Sequence, residues 1–219
     1  MPLLEIRNLG FNYPQQPKLF SQLNLQAEAG EIIAISGSSG SGKTTLLKLL
    51  CNIIPTVTAG EIAGSVKISE QNVQEFTLPQ LAAQVSLLLQ EPENQLILPL
   101  VEQELAFGPE NLLIDPPEIL RRITATLQLL QIENLRFAST AELSFGQKKL
   151  VAFASLITLS PDIFLLDEPA AGLSQNHLNI LIEVVRKLAA NGKLIIIADH
   201  LPQILEIADR TIALAENHV

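Results

Sequence analysis

The spacing of apolar and polar positions changes several times along the chain. Leu3 to Tyr13 alternates, which predicts a strand of the exposed-edge kind. Ile32 to Ser36 is short and apolar almost throughout, the pattern of a strand covered on both faces in a parallel sheet; Ile163 to Leu166 and Leu194 to Ala198 repeat it. Ser65 to Ile68 and Val85 to Leu89 read as further strands, the second ending at Gln90. Helical spacing runs from Lys43 to near Pro55, Leu78 to Gln84, Glu118 to Leu130, Lys148 to Leu159, and His177 to Asn191, where Gly192 supplies a stop. From about residue 91 to 143 the character differs, with Pro92, Pro99, Pro109, Pro116 and Pro117 separating helical stretches. Strands alternating with helices around such a segment predict an α/β fold, a mostly parallel sheet with helices on both faces and an inserted α-helical lobe. No internal repeat or low-complexity tract interrupts it.

Composition narrows the picture. The 219 residues are 47% hydrophobic and 17% charged, oily enough to suggest apolar surface used in assembly. No apolar stretch approaches the ~18 residues a membrane span needs. Glu5 and Arg7 within a strand pattern argue against a signal peptide at the N-terminus. The lone Cys51 among Leu and Ile residues reads as a buried core thiol, and cytoplasmic placement is expected. A net charge of −9 and a pI near 4.8 argue against a nucleic-acid partner.

The chemistry begins directly after the first buried strand. Gly37-Ser38-Ser39-Gly40-Ser41-Gly42-Lys43-Thr44 is the phosphate-cradling pattern G-x-x-x-x-G-K-[ST], between a strand and a helix. Its glycines let the main chain approach a phosphate chain closely, and successive N–H groups with the positive end of the following helix favour anions. Lys43 would reach β- and γ-phosphates, the Thr44 hydroxyl would bind Mg²⁺, and Thr45 would touch the α-phosphate. Farther on, Ile163-Phe164-Leu165-Leu166 ends in Asp167-Glu168. Alone this is an ordinary strand and turn; downstream of a phosphate loop it predicts a carboxylate for the metal, Asp167, and one to orient and polarise an attacking water, Glu168.

Leu143-Ser144-Phe145-Gly146-Gln147 opens the next-to-last helix, and here the chain resembles the ABC-type ATPases, whose signature is L-S-G-G-Q. The resemblance covers about residues 3–215. Tyr13 stands where that family stacks an aromatic on adenine, Gln90 where it has its Q-loop glutamine, Asp167-Glu168-Pro169 at its Walker B end, Ala171-Gly172-Leu173 at its D-loop and Asp199-His200 at its H-loop. Tyr13, Gln90 and His200 mean little singly; their order around the phosphate loop promotes them. Gln90 to Leu96 and Glu104 to Leu112 are similar to energy-coupling-factor and cobalt-type importer ATPases, which take up vitamins or transition metals. Four positions depart from the family pattern: Phe145 for Gly, Leu150 for Arg, Ala170 for Thr and Ser174 for Asp.

The resemblance implies one ABC ATPase domain over 1–219. Residues 1–89 and 145–219 would form the P-loop core with an antiparallel β edge, and 90–144 the helical lobe. It implies ATP and Mg²⁺, with Thr44, Gln90 and Asp167 around the metal. Residues 37–45 and Tyr13 would hold the nucleotide in cis, while Ser144, Phe145, Gly146 and Gln147 face the nucleotide of a second ATPase subunit in a head-to-tail homo- or heterodimer. Lys43, Gln90, Glu168 and His200 would carry hydrolysis. The implied work is transport through an integral membrane subunit, at the cytoplasmic face, docked near Leu96, Ile97, Leu98 and Phe107. The family's C-terminal extension is expected to be missing. The alternatives are a soluble ABC ATPase uncoupled from transport and a regulatory cassette with weak hydrolysis, the latter kept open by the altered Phe145 and Ser174.

Overall fold

The computed structural model describes residues 1–214; Ala215 to Val219, where the expected reach of the resemblance and of the domain ends, lie outside them. In chain order the strands are β1 (Leu4–Asn12), β2 (Phe20–Ala27), β3 (Ile32–Ser36), β4 (Glu61–Ile68), β5 (Gln71–Asn72), β6 (Val85–Leu88), β7 (Ile163–Asp167), β8 (Leu194–Ala198) and β9 (Arg210–Ala213). The helices are α1 (Lys43–Leu50), α2 (Ile53–Thr56), α3 (Leu78–Gln84), α4 (Val101–Asn111), α5 (Pro116–Leu130), α6 (Phe145–Leu159), α7 (Gln175–Ala190) and α8 (Pro202–Leu205).

Two sheets result. The first, parallel throughout, runs β6-β7-β8-β3-β9. Its central strands have no wet face, which is why they read as unbroken apolar runs. Alternate side chains still part company. Ile33, Ile35, Ile163, Leu165 and Ile196 pack toward α1 and the second sheet, while Phe164, Leu166, Ile195 and Ile197 pack toward α6 and α7, with α4 and α5 joining that side. The second sheet is antiparallel, in the order β2-β1-β4-β5.

The first strand corrects the expectation of an edge. β1 is hydrogen-bonded on both sides, Leu4 standing between Ala27 and Ile68. Its alternation breaks at a bulge: Ile6 pairs with Leu25 but Leu9 with Leu23, and Leu9, Gly10 and Phe11 are all buried. An extra residue reverses which face later side chains occupy. Gly64 on β4 sits opposite, at φ +79, where a Cβ would lie 2.3 Å from the Arg7 carbonyl oxygen. That bulge and glycine blur the first half of β4, which starts at Glu61 rather than Ser65.

Pro109 does not interrupt its helix, either. It lies inside α4, and the bond it cannot give to the Leu105 carbonyl is replaced: the Thr158 hydroxyl of α6 donates to that oxygen at 2.8 Å. Cys51 is half-buried rather than sealed in the core. It lines a groove of about 390 Å³ with Leu78, Leu81, Leu87, Leu89 and Gln95, and burial of the sulfur pushes the thiol up to about 11.

Candidate nucleotide site

The site forms where β3, β6, β7 and β8 end together. After Ser36 the chain turns through residues 37–42 and enters α1 at Lys43, with Gly42 at φ 95 as the helix cap. A Cβ on Gly42 would stand 2.8 Å from Leu19, so glycine is required there both by its angle and by space. A Cβ on Gly37 would meet the Ser41 Oγ at 2.5 Å, and that buried hydroxyl finds no hydrogen-bond partner among the described residues. A cradle with no room for side chains and an unsatisfied hydroxyl suits an oxyanion. Lys43 arches over it, its Nζ donating to the Gly37 and Ser38 carbonyls at 2.8 and 2.9 Å. Tyr13, half-buried, sets its ring edge against Phe11 with centroids 4.8 Å apart, and its hydroxyl lies 2.9 Å from the Thr45 Oγ1. The candidate adenine platform and the candidate α-phosphate contact therefore touch.

Asp167 closes β7, opposite Ala198 of β8, with 2% of its surface exposed. Burial raises its pKa; a hydrogen bond from the Thr44 side chain works the other way, and the neighbouring Glu168 charge adds to the rise. The Thr44 hydroxyl and a buried carboxylate side by side are hard oxygen donors, the set expected of a Mg²⁺ site that leaves most positions to water and phosphate. Glu168 follows at φ 43, a left-handed conformation that non-glycine residues adopt at a cost of about 1–2 kcal/mol. Its N–H donates to the Ala198 carbonyl at 2.8 Å. Gln90, two residues beyond β6, donates from Nε2 to the Glu168 Oε2 at 2.9 Å. Asp199, 2% exposed, accepts from the N–H groups of His200 and Leu201 at 2.7 and 3.0 Å, while the His200 ring is largely exposed.

The remaining predicted residues lie at the start of α6. The Ser144 Oγ accepts from the Gln147 N–H at 3.4 Å, and the Gln147 Oε1 accepts from the Ser144 N–H at 2.9 Å, a reciprocal cap. Gly146 sits where a Cβ would lie 3.1 Å from the Gly172 carbonyl, and the Phe145 ring covers Gly172. Thus Thr44 and Asp167 form one pair and Gln90 with Glu168 another beside it, Lys43 closes on the loop at Gly37 and Ser38, and Phe145 and Gly146 stand against the turn at Gly172. Sequence reasoning passed over Lys149. It is 1% exposed, and the ammonium reaches the main chain on either side of the Gln90–Glu168 pair. Its signal was its place on the apolar face of a helix, directly before Leu150 and Val151.

A parallel sheet flanked by helices, a glycine cradle ahead of α1 and paired carboxylates at the end of β7 define a phosphate-loop nucleotide-binding protein. The comparisons with known proteins carry this to a family. The family model for ABC transporters matches residues 20–171, and the chain belongs to that family. It is 36% identical over 212 residues to an ABC transporter ATP-binding protein of Treponema denticola, covering 96% of this chain and 43% of that protein. A Methanosarcina acetivorans protein of the same description is 36% identical, over 99% of this chain and 80% of its own length. The chain thus spans less than half the length of several curated relatives it matches. Among solved structures, CbiO1 of Clostridium perfringens, part of the ABC transporter complex CbiONQ, superposes with a TM-score of 0.83 at 29% identity, covering 97% of this chain and 84% of that one. A nucleotide-free ATP-binding cassette of an ABC transporter, 20% identical with a TM-score of 0.79, shares the fold. No helix among the described residues is long and apolar enough to cross a membrane.

Proposed function

We propose that this chain is the ATP-hydrolysing subunit of a membrane importer of the vitamin or transition-metal type, working as one half of a head-to-tail ATPase dimer. The observation that carries the ATPase reading is the contact at the sheet edge, where the Gln90 amide meets the Glu168 carboxylate beside the Thr44–Asp167 pair. In this reading residues 37–45 bind the phosphates of ATP. Lys43 and the α1 N-terminus offset their charge, Glu168 accepts a proton from the attacking water, Gln90 orients that carboxylate, and His200 reaches the γ-phosphate. Mg²⁺ held by Thr44 and Asp167, with Gln90 nearby, would supply further charge neutralisation. Catalysis of this kind is mostly positioning and electrostatics.

The importer class is supported by the segments Gln90 to Leu96 and Glu104 to Leu112 and by the likeness to CbiO1. Ile97 and Phe107 are exposed, and the Leu78–Leu89 groove lies beside the Gln90 loop; together they offer apolar surface for a membrane subunit at the cytoplasmic face. Leu96, by contrast, is half-buried and packs against the core. Ser144, Phe145, Gly146 and Gln147 would meet the nucleotide of the second subunit. A cassette with weak hydrolysis is the second reading, favoured by Phe145 closing over Gly172.

A nucleotide titration tests the phosphate assignment. Lys43→Ala should weaken ATP binding more than tenfold, over about 1.4 kcal/mol. Unchanged affinity would remove the loop from the site.

A further inference from the structure

Lys149 is a costly side chain to bury without a purpose, since an ammonium in apolar surroundings loses its hydration. Burial pulls its pKa down, opposed by the charges of Glu91, Asp167, Glu168 and Asp199, the acidic groups that face it. The Phe145 ring adds a further attraction, its centroid 5.6 Å from the Nζ. The hydrogen bonds, however, go to two main-chain carbonyls and not to these carboxylates. Nζ donates to the Gln90 carbonyl and, at 3.2 Å, to the Glu168 carbonyl.

Those two residues are the pair whose side chains meet at 2.9 Å. One ammonium therefore ties the backbones of both to α6. For Glu168 the tie matters most, because its left-handed backbone must be held from outside. The Ala198 carbonyl takes its N–H and Lys149 takes its carbonyl, so both flanking peptides are fixed. We propose that Lys149 is a positioning residue for ATP hydrolysis: it aims the Glu168 carboxylate by gripping the main chain at residues 90 and 168 from the helix that begins with the signature segment. It touches no phosphate and acts only through Glu168 and Gln90. The Phe145 ring, packed between the ammonium and Gly172, continues the same chain of contacts to the turn after Glu168.

The proposal rests on Glu168 being the water-activating group, and the experiment separates the two ideas. In the full chain, single-turnover hydrolysis at saturating Mg-ATP, ATP binding and thermal unfolding are measured for Lys149→Met, Lys149→Arg, Glu168→Gln and the Lys149→Met/Glu168→Gln double variant. Lys149→Met should slow hydrolysis at least tenfold while ATP affinity stays within twofold. Lys149→Arg should recover part of the rate. In the Glu168→Gln background the methionine should cost less than a further twofold, because the group it aims is already disabled. A Lys149→Met rate within twofold of the unmodified protein, with Glu168→Gln inactive, overturns the positioning role alone. Rate and affinity falling together, or fully additive losses in the double variant, overturn it as well. Undiminished hydrolysis by Glu168→Gln overturns the site reading and the proposal with it. If Lys149→Met does not fold, Lys149→Gln replaces it. Its shorter amide cannot span both carbonyls, so a tenfold loss at unchanged affinity supports the proposal and an unmodified rate refutes it.

Discussion

The sheet edge and the start of α6 respond to sequence change in opposite ways. At the edge, Asp167 is sealed between strands, Glu168 is held in a costly conformation, and Thr44 and Gln90 are each spoken for by one of the two carboxylates. At the start of α6 the demands are generic. A hydroxyl or carboxylate must cap each helix, a glutamine must answer the first cap, and a small residue must lie against Gly172. Ser174 meets its share by accepting from the His177 N–H at 3.3 Å, as an aspartate at that position would. Phe145 is 39% exposed, so its bulk costs little locally. Two of the departures from the family pattern, Phe145 and Ser174, thus fall where the fold demands little, whereas Leu150 is packed in the core.

The largest expected break in this contrast is Glu168→Gln. The amide still accepts from Gln90, so ATP binding should persist, but it is a poor base and hydrolysis should fall roughly 10²–10⁴-fold. Phosphate release and nucleotide binding measured together decide it; a modest rate loss would mean that the edge tolerates change after all. Next is Ser174. Removing the cap in Ser174→Ala should cost about 1 kcal/mol of stability, whereas Ser174→Asp should keep stability and, with the proposed role facing a second subunit, speed hydrolysis. Denaturation midpoints and turnover would show whether cap and function separate. The smallest effect belongs to Lys148 and Glu93, bonded at 2.6 Å across the surface between α6 and the Gln90 loop. The Lys148 bond lowers the Glu93 pKa, so this contribution is present above the ordinary glutamate range and fades as pH falls below it. A double-mutant cycle should find a weak coupling that vanishes in high salt.

Much of this arrangement was legible in the sequence because one force dominated each stretch. β3, β7 and β8 are buried on both faces, so their composition alone betrays them. The phosphate loop is written in glycines, of which Gly37 and Gly42 leave no room for a Cβ. Elsewhere two forces competed. β1 alternates until its bulge, and β4 is disguised by the glycine that answers it. β2 and β9 carry mixed patterns, β2 because it borders solvent and β9 because it is the outer strand of the parallel sheet. Pro109 signals a break that a threonine 49 residues later cancels by supplying the missing bond. Lys149 escaped for a related reason: its place before Leu150 and Val151 hints at burial, but the partners of a buried lysine are supplied by distant segments, here at residues 90 and 168.

The order of strands in the parallel sheet sets a timetable for synthesis. β3 carries the phosphate loop, yet its neighbours are β8 and β9, and the Ile32 N–H is taken by Asp209, 177 residues farther along the chain. At typical ribosomal speeds that interval is on the order of ten seconds. Throughout it, one of the most apolar segments of the nascent polypeptide has both edges open and must be shielded from other chains. The nucleotide-binding loop is therefore translated long before the strands that brace it, so a product truncated ahead of β8 would carry the motif without the means to hold it.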